Sequence, residues 1–508
     1  SKKSKMSQLK KGALLSYINI FLTISIGLVL TPFIVKSLGD AEFGLYTLIG
    51  AFIGYISLLD FGLNNTIVRF ISKYKAEKDK ISEENFLAIT MLIYGMISII
   101  IIIIGVVLYF NIGTIFAESL SKEELDKANI MFVILVFNLA ITLPGGSFNA
   151  ISSAYEYFVY PRTVNIIRLL LRSALVISLL VYGGDSIGLV LIDTVMNILV
   201  VFFNGIYIFK RLNVTIKLHF FKVSLIIEIF SYSIWVFVFA IVQMLRWQTG
   251  QFILGTTTNT VIVAVFAIGI MLGSFYRSFA STFSALVLPL ATKMIVNKND
   301  QESLNKVMVK YGRIVLSILL LFLAGFIGVG KEFVLLWVGG NYLDSWTIAL
   351  LVMITSTIPL VQGFGNSILE AKNEIKYKSI LNLVTTLLGV FFGYFLSQTY
   401  GGVGMIFGIV FLYIVYNIFI NIFFVKVFNF NVCLFFKNTF PYFLVVFVVT
   451  ILLSIFLNQL WIESSWTYLL LKVLILSAVY IILTFFIAFN KEEKMMFSNF
   501  FNFYLNKN

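Results

Sequence analysis

Long apolar runs dominate this chain, and short polar stretches separate them. A helix that spans the hydrocarbon core of a bilayer needs about 20 predominantly apolar residues. Fourteen runs of roughly this length can be delimited, at about 12–36, 41–63, 86–110, 129–153, 163–182, 187–208, 226–248, 261–289, 312–330, 345–368, 379–397, 402–424, 440–458 and 467–489. Short or alternating strand patterns do not occur, so the pattern predicts an all-α integral membrane protein with 14 transmembrane helices.

The composition indicates the same class. Of the 508 residues, 60% are hydrophobic and 12% are charged, whereas a soluble domain is about half apolar and about a quarter charged. The basic start SKKSKMSQLKKG precedes an apolar run without a small-residue cleavage site, and we interpret that run as a retained first helix. The chain has one cysteine, Cys433, and one histidine, His219, so we predict no disulfide, no metal site and no cofactor.

The basic residues between the runs are distributed unevenly. With an even number of spans both termini lie on one side, and that side carries 28 Lys and Arg residues against 4 on the other. Because cytoplasmic loops are enriched in Lys and Arg, we predict a multi-pass protein with both termini in the cytoplasm and with cytoplasmic loops at 64–85 and 291–311. The frequent use of Lys, Asn, Ile and Phe is typical of AT-rich bacterial genomes, so the predicted location is a bacterial cytoplasmic membrane. The net charge of +13 then reflects orientation and contact with anionic membrane lipids, and nucleic acid is not a predicted partner.

Two stretches of the chain repeat each other. A shift of 217 residues aligns NAISSAYEYFVYPRTVN (149–165) with NSILEAKNEIKYKSILN (366–382) without a gap, and Asn165 falls on Asn382. Each stretch joins one predicted helix to the next at the same point of a six-helix half. We therefore predict two six-helix lobes in parallel repeat: an N-lobe at 1–210, a cytoplasmic linker at 211–222, a C-lobe at 223–425, and two appended C-terminal helices within 426–508. Parallel repeats of this kind build alternating-access transporters with the substrate between the lobes.

Several cations lie inside the predicted spans, where a charge is costly and is by default a functional candidate. They are Arg168, Arg172, Arg246, Arg277 and Lys472. We predict that the arginines form a cationic cavity for an anionic ligand such as a phosphate, because the planar guanidinium can bind two oxygen atoms at once. Lys472 lies near the outer end of the last helix, and its amine is expected to reach the outer interface.

Acidic residues inside the spans are fewer. Asp193 lies well inside the sixth span, and three others lie nearer the cytoplasmic ends of their helices: Asp60, Glu228 and Glu370. The imbalance between buried cations and buried anions is the reason for predicting an anionic ligand.

One nucleotide-binding signature occurs and is rejected. GFIGVGK at Gly325–Lys331 matches the start of a phosphate-binding loop, but Glu332 stands where that loop has the Ser or Thr that holds magnesium. The stretch also ends a predicted membrane helix on the outer side. The predicted external loops are short, the longest at about 111–128, which leaves no room for an outer catalytic domain. We therefore predict neither an ATPase nor another enzyme.

Motifs along the chain match one known family. They are Thr31-Pro32, Leu38-Gly39, Glu42-Phe43-Gly44-Leu45-Tyr46, Asp60-Phe61-Gly62, Arg69, RWQTGQFILG (246–255), LPLATK (288–293), WVGGNY (337–342) and ILEAKNEIKYKS (368–379). With these motifs the chain resembles the polysaccharide-transporter, or Wzx-type, flippases over nearly its whole length. Their superfamily also includes the MurJ lipid II flippases and the MATE drug antiporters.

The resemblance implies a fourteen-helix, two-lobed fold that translocates undecaprenyl-diphosphate-linked oligosaccharides for surface polysaccharide such as capsule. It adds polysaccharide polymerase and assembly proteins as candidate partners. We take four charged residues as candidates for gating or ion coupling: Asp60, Arg69, Asp193 and Glu228. The chain departs from the family pattern after Arg246, where Thr249-Gly250-Gln251 stand in place of an acidic residue.

Three other functions stay open. A MATE-like exporter of drugs or ions calls for acidic cavity residues, where this sequence has basic ones. A membrane-embedded glycosyltransferase or polymerase calls for catalytic carboxylates and sizeable outer loops, and this sequence has neither. A non-transporting scaffold for a capsule-assembly complex has the same composition as a transporter.

Overall fold

The computed structural model describes residues 2–117, 119–296, 300–372 and 375–495, and the regular secondary structure of these ranges is helical. The α-helices of the described ranges are α1 (Lys2–Leu38), α2 (Asp40–Ser57), α3 (Leu63–Glu77), α4 (Lys80–Ile115), α5 (Lys122–Ala154), α6 (Val159–Val181), α7 (Ser186–Ile206), α8 (Val223–Trp247), α9 (Thr249–Thr257), α10 (Thr260–Val296), α11 (Gln301–Trp337), α12 (Leu343–Val361), α13 (Gly363–Ala371), α14 (Ile375–Phe428), α15 (Val432–Thr439), α16 (Pro441–Leu460) and α17 (Trp466–Leu483).

The predicted all-α membrane fold is confirmed. Twelve helical segments of the described residues are long and apolar enough to cross a membrane, and Phe237–Trp247 of α8 is a shorter apolar helix. One of the twelve, Lys376–Phe428, holds two of the predicted spans, because α14 breaks at Gly401 with a φ of 54°. Glycine reaches this left-handed conformation without a Cβ clash. The fourteen predicted spans are therefore consistent with the helices.

The second predicted span ends differently from the prediction. The α2 helix gives way to a 3-10 turn at Leu58–Asp60, and Phe61 and Gly62 then adopt left-handed φ values of 49° and 72°. A new helix, α3, follows through most of the stretch that was predicted as a loop at 64–85. Its buried residues recur at helical spacing, Leu63, Thr66, Ile67, Phe70 and Ile71, so α3 is an amphipathic helix with a basic outer face.

Side-chain caps set the start of the helices that follow. Asp79 accepts a hydrogen bond from the backbone of Ser82 over 3.0 Å at the start of α4, and hydrogen bonds from Ser82 hold the pKa of this exposed carboxyl below its usual value. Ser121 and Glu124 form a reciprocal capping box at the start of α5. Asp185 caps α7 through the backbone of Gly188. These caps define where α4, α5 and α7 begin.

The helix ends agree with the predicted sequence shift at one point. The α5 helix ends at Ala154 and α13 ends at Ala371, residues that the shift of 217 places on each other. The preceding helices differ, because α5 is continuous through Pro144 whereas α12 stops at Val361 and α13 begins at Gly363. The parallel repeat of two lobes stays a prediction.

Gly44, within the motif Glu42 to Tyr46, is placed against the start of α10. A Cβ atom added to Gly44 would lie 1.8 Å from the carbonyl oxygen of Thr260. The hydroxyl of Thr260 donates to Oε1 of Glu124 over 2.9 Å. Glycine at this position therefore permits the close approach of the α2 backbone to Thr260.

Contacts between residues group the chain into two compact units. Unit 1 comprises Ser1–Ala267 and Thr386–Gly408, and unit 2 comprises Ile268–Thr385 and Ile409–Asn508. Unit 1 therefore includes α1 to α9 and the part of α14 around the break at Gly401.

In unit 2, the position of Lys472 contradicts the prediction that its amine reaches the outer interface. Its side chain is 3% exposed, and the amine donates to Oε2 of Glu332 over 2.7 Å and to the carbonyl of Trp461 over 3.2 Å. The amine therefore forms a buried ion pair rather than extending to the membrane interface, as was expected. Glu332 lies inside α11, so the rejected GFIGVGK signature is part of a continuous helix.

Arg313, at the start of the ninth predicted span, is buried inside α11. Its Nε and Nη2 atoms donate to the two carboxylate oxygens of Glu493 over 2.7 and 2.8 Å. Nη1 donates to the carbonyl of Asn438 over 2.8 Å, and Nη2 also donates to the carbonyl of Ala488 over 2.5 Å. Arg313 thus joins α11 to α15, through Asn438, and to the segment that follows α17, through Ala488 and Glu493.

Candidate functional site

Two arginines of α6 face two polar residues of α7. Arg168 and Arg172 are four residues apart, as are Asp193 and Asn197, so each pair lies on one face of its helix. Arg172 donates from Nε and Nη2 to the two carboxylate oxygens of Asp193, with 3.0 Å between Nη2 and Oδ2. Arg168 donates from Nη1 to Oδ1 of Asn197 over 2.8 Å. The two successive helices are thus joined by one ionic and one neutral contact.

Residues of α2 and α5 extend this network. The hydroxyl of Tyr46 donates to Oδ2 of Asp193 over 3.1 Å and accepts a hydrogen bond from Nη2 of Arg172 over 3.4 Å. Asn197 donates from Nδ2 to Oδ1 of Asn138, which is a buried residue of α5, over 3.4 Å. Four helices of unit 1 therefore hold the polar side chains in place.

A cavity of about 400 Å³ lies beside the network. Its polar lining consists of Tyr46, Thr47, Asn138, Arg168, Arg172, Asp193 and Asn197, and its other lining residues are Gly50, Leu135 and Val190. The side chains of Arg172 and Asp193 are each 21% exposed, so their ion pair is largely removed from solvent yet reachable from the cavity. The volume falls in the range of small-ligand pockets, about 300–1,000 Å³. We take this cavity as the candidate functional site.

Three residues predicted from the sequence meet here. Arg168 and Arg172 were predicted to bind the ligand, and Asp193 was a candidate for gating or ion coupling. The structure joins Arg172 and Asp193 in one ion pair, which the sequence analysis did not foresee. An isolated charge buried in a helix bundle is costly, and a well-oriented partner offsets that cost. The individual roles of the three residues stay predictions.

Three members of the network, Asn197, Tyr46 and Asn138, were not predicted from the sequence. Asn197 could have been found, since it stands one helical turn after Asp193, as Arg172 does after Arg168. Tyr46 belongs to a motif that was noted for its resemblance to a family and not for its hydroxyl. Asn138 carried no signal, because a single amide in an apolar run does not reveal which helix it faces.

Arg246 occupies a different place in unit 1. It lies near the end of α8, is 3% exposed, and donates from Nη2 to the hydroxyl of Thr386 over 2.6 Å. Its guanidinium carbon lies 6.0 Å from the ring centre of Trp247. Tyr55 donates to the hydroxyl of Thr249 where α9 begins. Arg246 does not line the described cavity, and its contact with a ligand stays a prediction.

The remaining predicted residues are dispersed. Asp60 lies at the break between α2 and α3 and accepts hydrogen bonds from the hydroxyl of Tyr94 over 2.9 Å and from the amide of Asn64 over 3.2 Å. Arg69 on α3 and Glu228 on α8 are exposed. Arg277 is a partly buried residue of α10 in unit 2. Within the described ranges, no group of three or more His, Cys, Asp and Glu residues is placed to hold a metal ion.

The comparison with protein families identifies the class of this chain. The family described as "Polysaccharide biosynthesis protein" matches residues 9–295, which is more than half of the chain. The chain belongs to this family. It is also similar to a protein of Bacillus subtilis (strain 168), "Uncharacterized membrane protein EpsK", with 24% identity over 380 residues that cover 72% of each chain.

Solved structures share the fold. "Lipid II flippase MurJ, inward closed conformation" has a TM-score of 0.67 and 16% identity, with 93% of this chain and 97% of that chain covered. The inward-facing conformation of a multidrug resistance MATE family transporter of the MOP superfamily has a TM-score of 0.63 and 17% identity, with 79% of this chain and 92% of that chain covered. The resemblance stated from the sequence is confirmed. The fold of this chain is that of these two solved transporters.

Proposed function

We propose that the protein is a flippase that moves undecaprenyl-diphosphate-linked oligosaccharide units across the bacterial cytoplasmic membrane for surface polysaccharide synthesis. The observation that carries the proposal is the cavity of unit 1. In a chain that is 60% hydrophobic, four apolar helices enclose two guanidinium groups, one carboxylate, two carboxamides and a phenol. Such polar groups are expensive inside a membrane and are usually kept there for a polar substrate.

The chemistry of these groups suits the proposed headgroup. Guanidinium groups bind phosphate or carboxylate oxygens through charge-assisted hydrogen bonds. Asn138 and Asn197 carry both donors and acceptors, which is what sugar hydroxyls require. The cavity lining has two basic residues and one acidic residue, so its formal charge is +1 and favours an anionic group. The polyprenyl chain of such a substrate needs no polar site, because it can stay in the bilayer.

Family membership supports the same class of substrate, since the family is that of polysaccharide biosynthesis proteins. The similarity to a lipid II flippase supports a mechanism in which a lipid-linked headgroup crosses the membrane through the protein. We further propose alternating access of the two predicted lobes and a cytoplasmic location of both termini. Polymerase and assembly proteins of the polysaccharide system are the proposed partners.

The proposal is tested with purified protein in proteoliposomes that contain a fluorescent undecaprenyl-diphosphate-linked oligosaccharide. We expect the labelled glycolipid to move between the two leaflets within minutes. This movement is measured as a change in the fraction of the glycolipid that a membrane-impermeant glycosidase can cleave. Liposomes that contain an unrelated membrane protein are the control. A MATE-like exporter would instead transport a fluorescent organic cation and leave the glycolipid in place, and that result contradicts the proposal.

A further inference from the structure

The two contacts between α6 and α7 differ in charge. In the first, the carboxylate of Asp193 neutralises Arg172 and takes up its Nε and Nη2 donors. In the second, the residue opposite Arg168 is Asn197, an amide of nearly the same size and shape with no charge. The residue opposite on α7 therefore decides whether the arginine on α6 has a carboxylate bound directly to it.

Arg168 keeps donors as well as charge. One guanidinium nitrogen, Nη1, donates to Asn197, and among the described residues no hydrogen-bond partner is present for the buried Nε atom. A buried donor without a partner is costly, so the protein compensates the guanidinium of Arg168 less fully than that of Arg172. Arg172 differs, because Asp193 and Tyr46 already accept from its Nε and Nη2.

The size of the cavity limits what can bind. A volume of about 400 Å³ lies in the lower part of the range for small-ligand pockets, so part of a lipid-linked oligosaccharide headgroup can enter the cavity. The neutral hydrogen-bonding groups of the cavity are the amides of Asn138 and Asn197 and the hydroxyls of Tyr46 and Thr47. The ligand chemistry is thus one oxyanion next to hydroxyl groups.

We infer that Arg168 is the anion-binding residue of this cavity, that it holds one oxyanion of the substrate headgroup, and that Asn197 keeps it available for that purpose. The inference rests on the proposed function. Arg172 and Asp193 form a neutral pair that positions α6 against α7 and does not bind the anion. The oxyanion is a phosphate of the lipid diphosphate or a carboxylate of an acidic sugar, and the two sources share one chemistry.

The matched variants are Asn197→Asp and Asn197→Ala. Aspartate at 197 has the shape of the native residue and adds a carboxylate, so it should neutralise Arg168 as Asp193 neutralises Arg172. Alanine removes the same hydrogen bond to Arg168 and adds no charge. We therefore expect Asn197→Asp to weaken anion binding about 10- to 100-fold, the effect of losing a hydrogen bond to a charged group, and Asn197→Ala, which loses the amide without adding a charge, to weaken it by a smaller factor. Arg168→Ala should match Asn197→Asp, and Arg168→Lys should restore part of the affinity.

Binding is measured by fluorescence titration of protein in lipid nanodiscs with two probes. One is undecaprenyl diphosphate linked to a neutral N-acetylhexosamine, and the other is the same lipid with an added hexuronic acid. If Asn197→Asp and Arg168→Ala weaken both probes, the oxyanion is the diphosphate, and if they weaken the acidic probe alone, it is the sugar carboxylate. Both results support the inference. Unchanged binding of both probes in both variants overturns it.

The controls separate this inference from the proposed function. A wild-type protein that binds neither probe contradicts the proposed function itself, whereas wild-type binding that Arg168→Ala leaves intact contradicts the role of Arg168 alone. Size-exclusion profiles and thermal melting check that each variant is folded. If Asn197→Asp does not fold, the comparison of Arg168→Ala with Arg168→Lys decides the question.

Discussion

The amine of Lys472 on α17 lies 2.7 Å from a carboxylate oxygen of Glu332 on α11, and the lysine side chain is 3% exposed. The second buried ion pair of α11, between Arg313 and Glu493, lies nineteen residues earlier on this helix. At 1.5 Å per residue this separation is about 28 Å, close to the hydrocarbon thickness of a bilayer of about 30 Å. The C-terminal part of unit 2 is therefore fixed to α11 by an ion pair near each end of the membrane span.

Replacing Lys472 by Met should destabilise the protein. Glu332 would remain in a largely buried site without its cation, and breaking a buried pair in this way costs about 3–5 kcal/mol. The double variant Lys472→Met with Glu332→Leu removes both charges and should regain most of the loss. The measurement is thermal unfolding in detergent, followed by size-exclusion chromatography. A single variant as stable as the wild type would show that the pair is not coupled to folding.

Replacing Arg313 by Met should also be destabilising, by at least as much as the change at Lys472. It leaves Glu493 and the carbonyls of Asn438 and Ala488 without their donor. Arg313→Lys keeps the charge but not the planar fork, so it should restore less than half of the stability. The same unfolding assay measures both variants.

The control for Arg313 is Lys306→Ala. Lys306 pairs with Glu302 on the same helix, and both side chains are more than 70% exposed. Exposed pairs contribute about 0–1 kcal/mol, so this variant should unfold at nearly the wild-type temperature. A large loss of stability here would mean that any charge removed from α11 matters, whatever its burial.

The orientation prediction is tested with single cysteines in a Cys433→Ser background. Ala76 lies on the exposed face of α3, and Ser464 is exposed in the turn before α17. The distribution of basic residues places Ala76 in the cytoplasm and Ser464 outside. A membrane-impermeant maleimide applied to intact cells should label Ser464→Cys and leave Ala76→Cys unlabelled until the membrane is opened. Labelling of Ala76→Cys but not of Ser464→Cys in intact cells would show that the orientation is opposite to the predicted one.

The sequence also predicts roles for Arg246 and Arg277. Arg277, nearer the cytoplasm, is predicted to meet the anionic headgroup on loading, and Arg246, in the outer half of its span, to hold it before release. Loss of one partner of a desolvated charge contact can cost about 2–5 kcal/mol, so Arg246→Ala and Arg277→Ala should each abolish glycolipid flipping, with partial rescue by Lys at most. Flipping is measured in proteoliposomes at equal protein content. Normal flipping by both alanine variants would make the two residues structural.

A variant of Thr386 helps to interpret Arg246. Thr386→Val removes the hydroxyl that accepts from Arg246 but leaves the charge in place. If Arg246 binds ligand, this variant should keep most of its transport. If Arg246 serves the packing of α8 against α14, Thr386→Val should lower the unfolding temperature as Arg246→Ala does.

The sequence by itself determined the class of this protein, because membrane insertion depends on local properties. About twenty consecutive apolar residues are enough to predict a span, so the fourteen spans and the all-α fold could be predicted from the amino-acid sequence. The family resemblance followed from short motifs in the same way. The positions of helix breaks were harder to predict from the sequence. The break at Phe61 and Gly62 and the amphipathic helix α3 depend on which helix face is buried.

Tertiary structure decided which charges are compensated. In the sequence, Arg168, Arg172, Arg313 and Lys472 are all basic residues in or next to apolar runs. Folding pairs Arg172 with Asp193, Arg313 with Glu493 and Lys472 with Glu332, from 21, 180 and 140 residues away. It places Arg168 opposite an amide instead. The free energy of a buried charge depends on the groups within a few ångströms, and this distance is set by the packing of the helices, which a single sequence does not reveal.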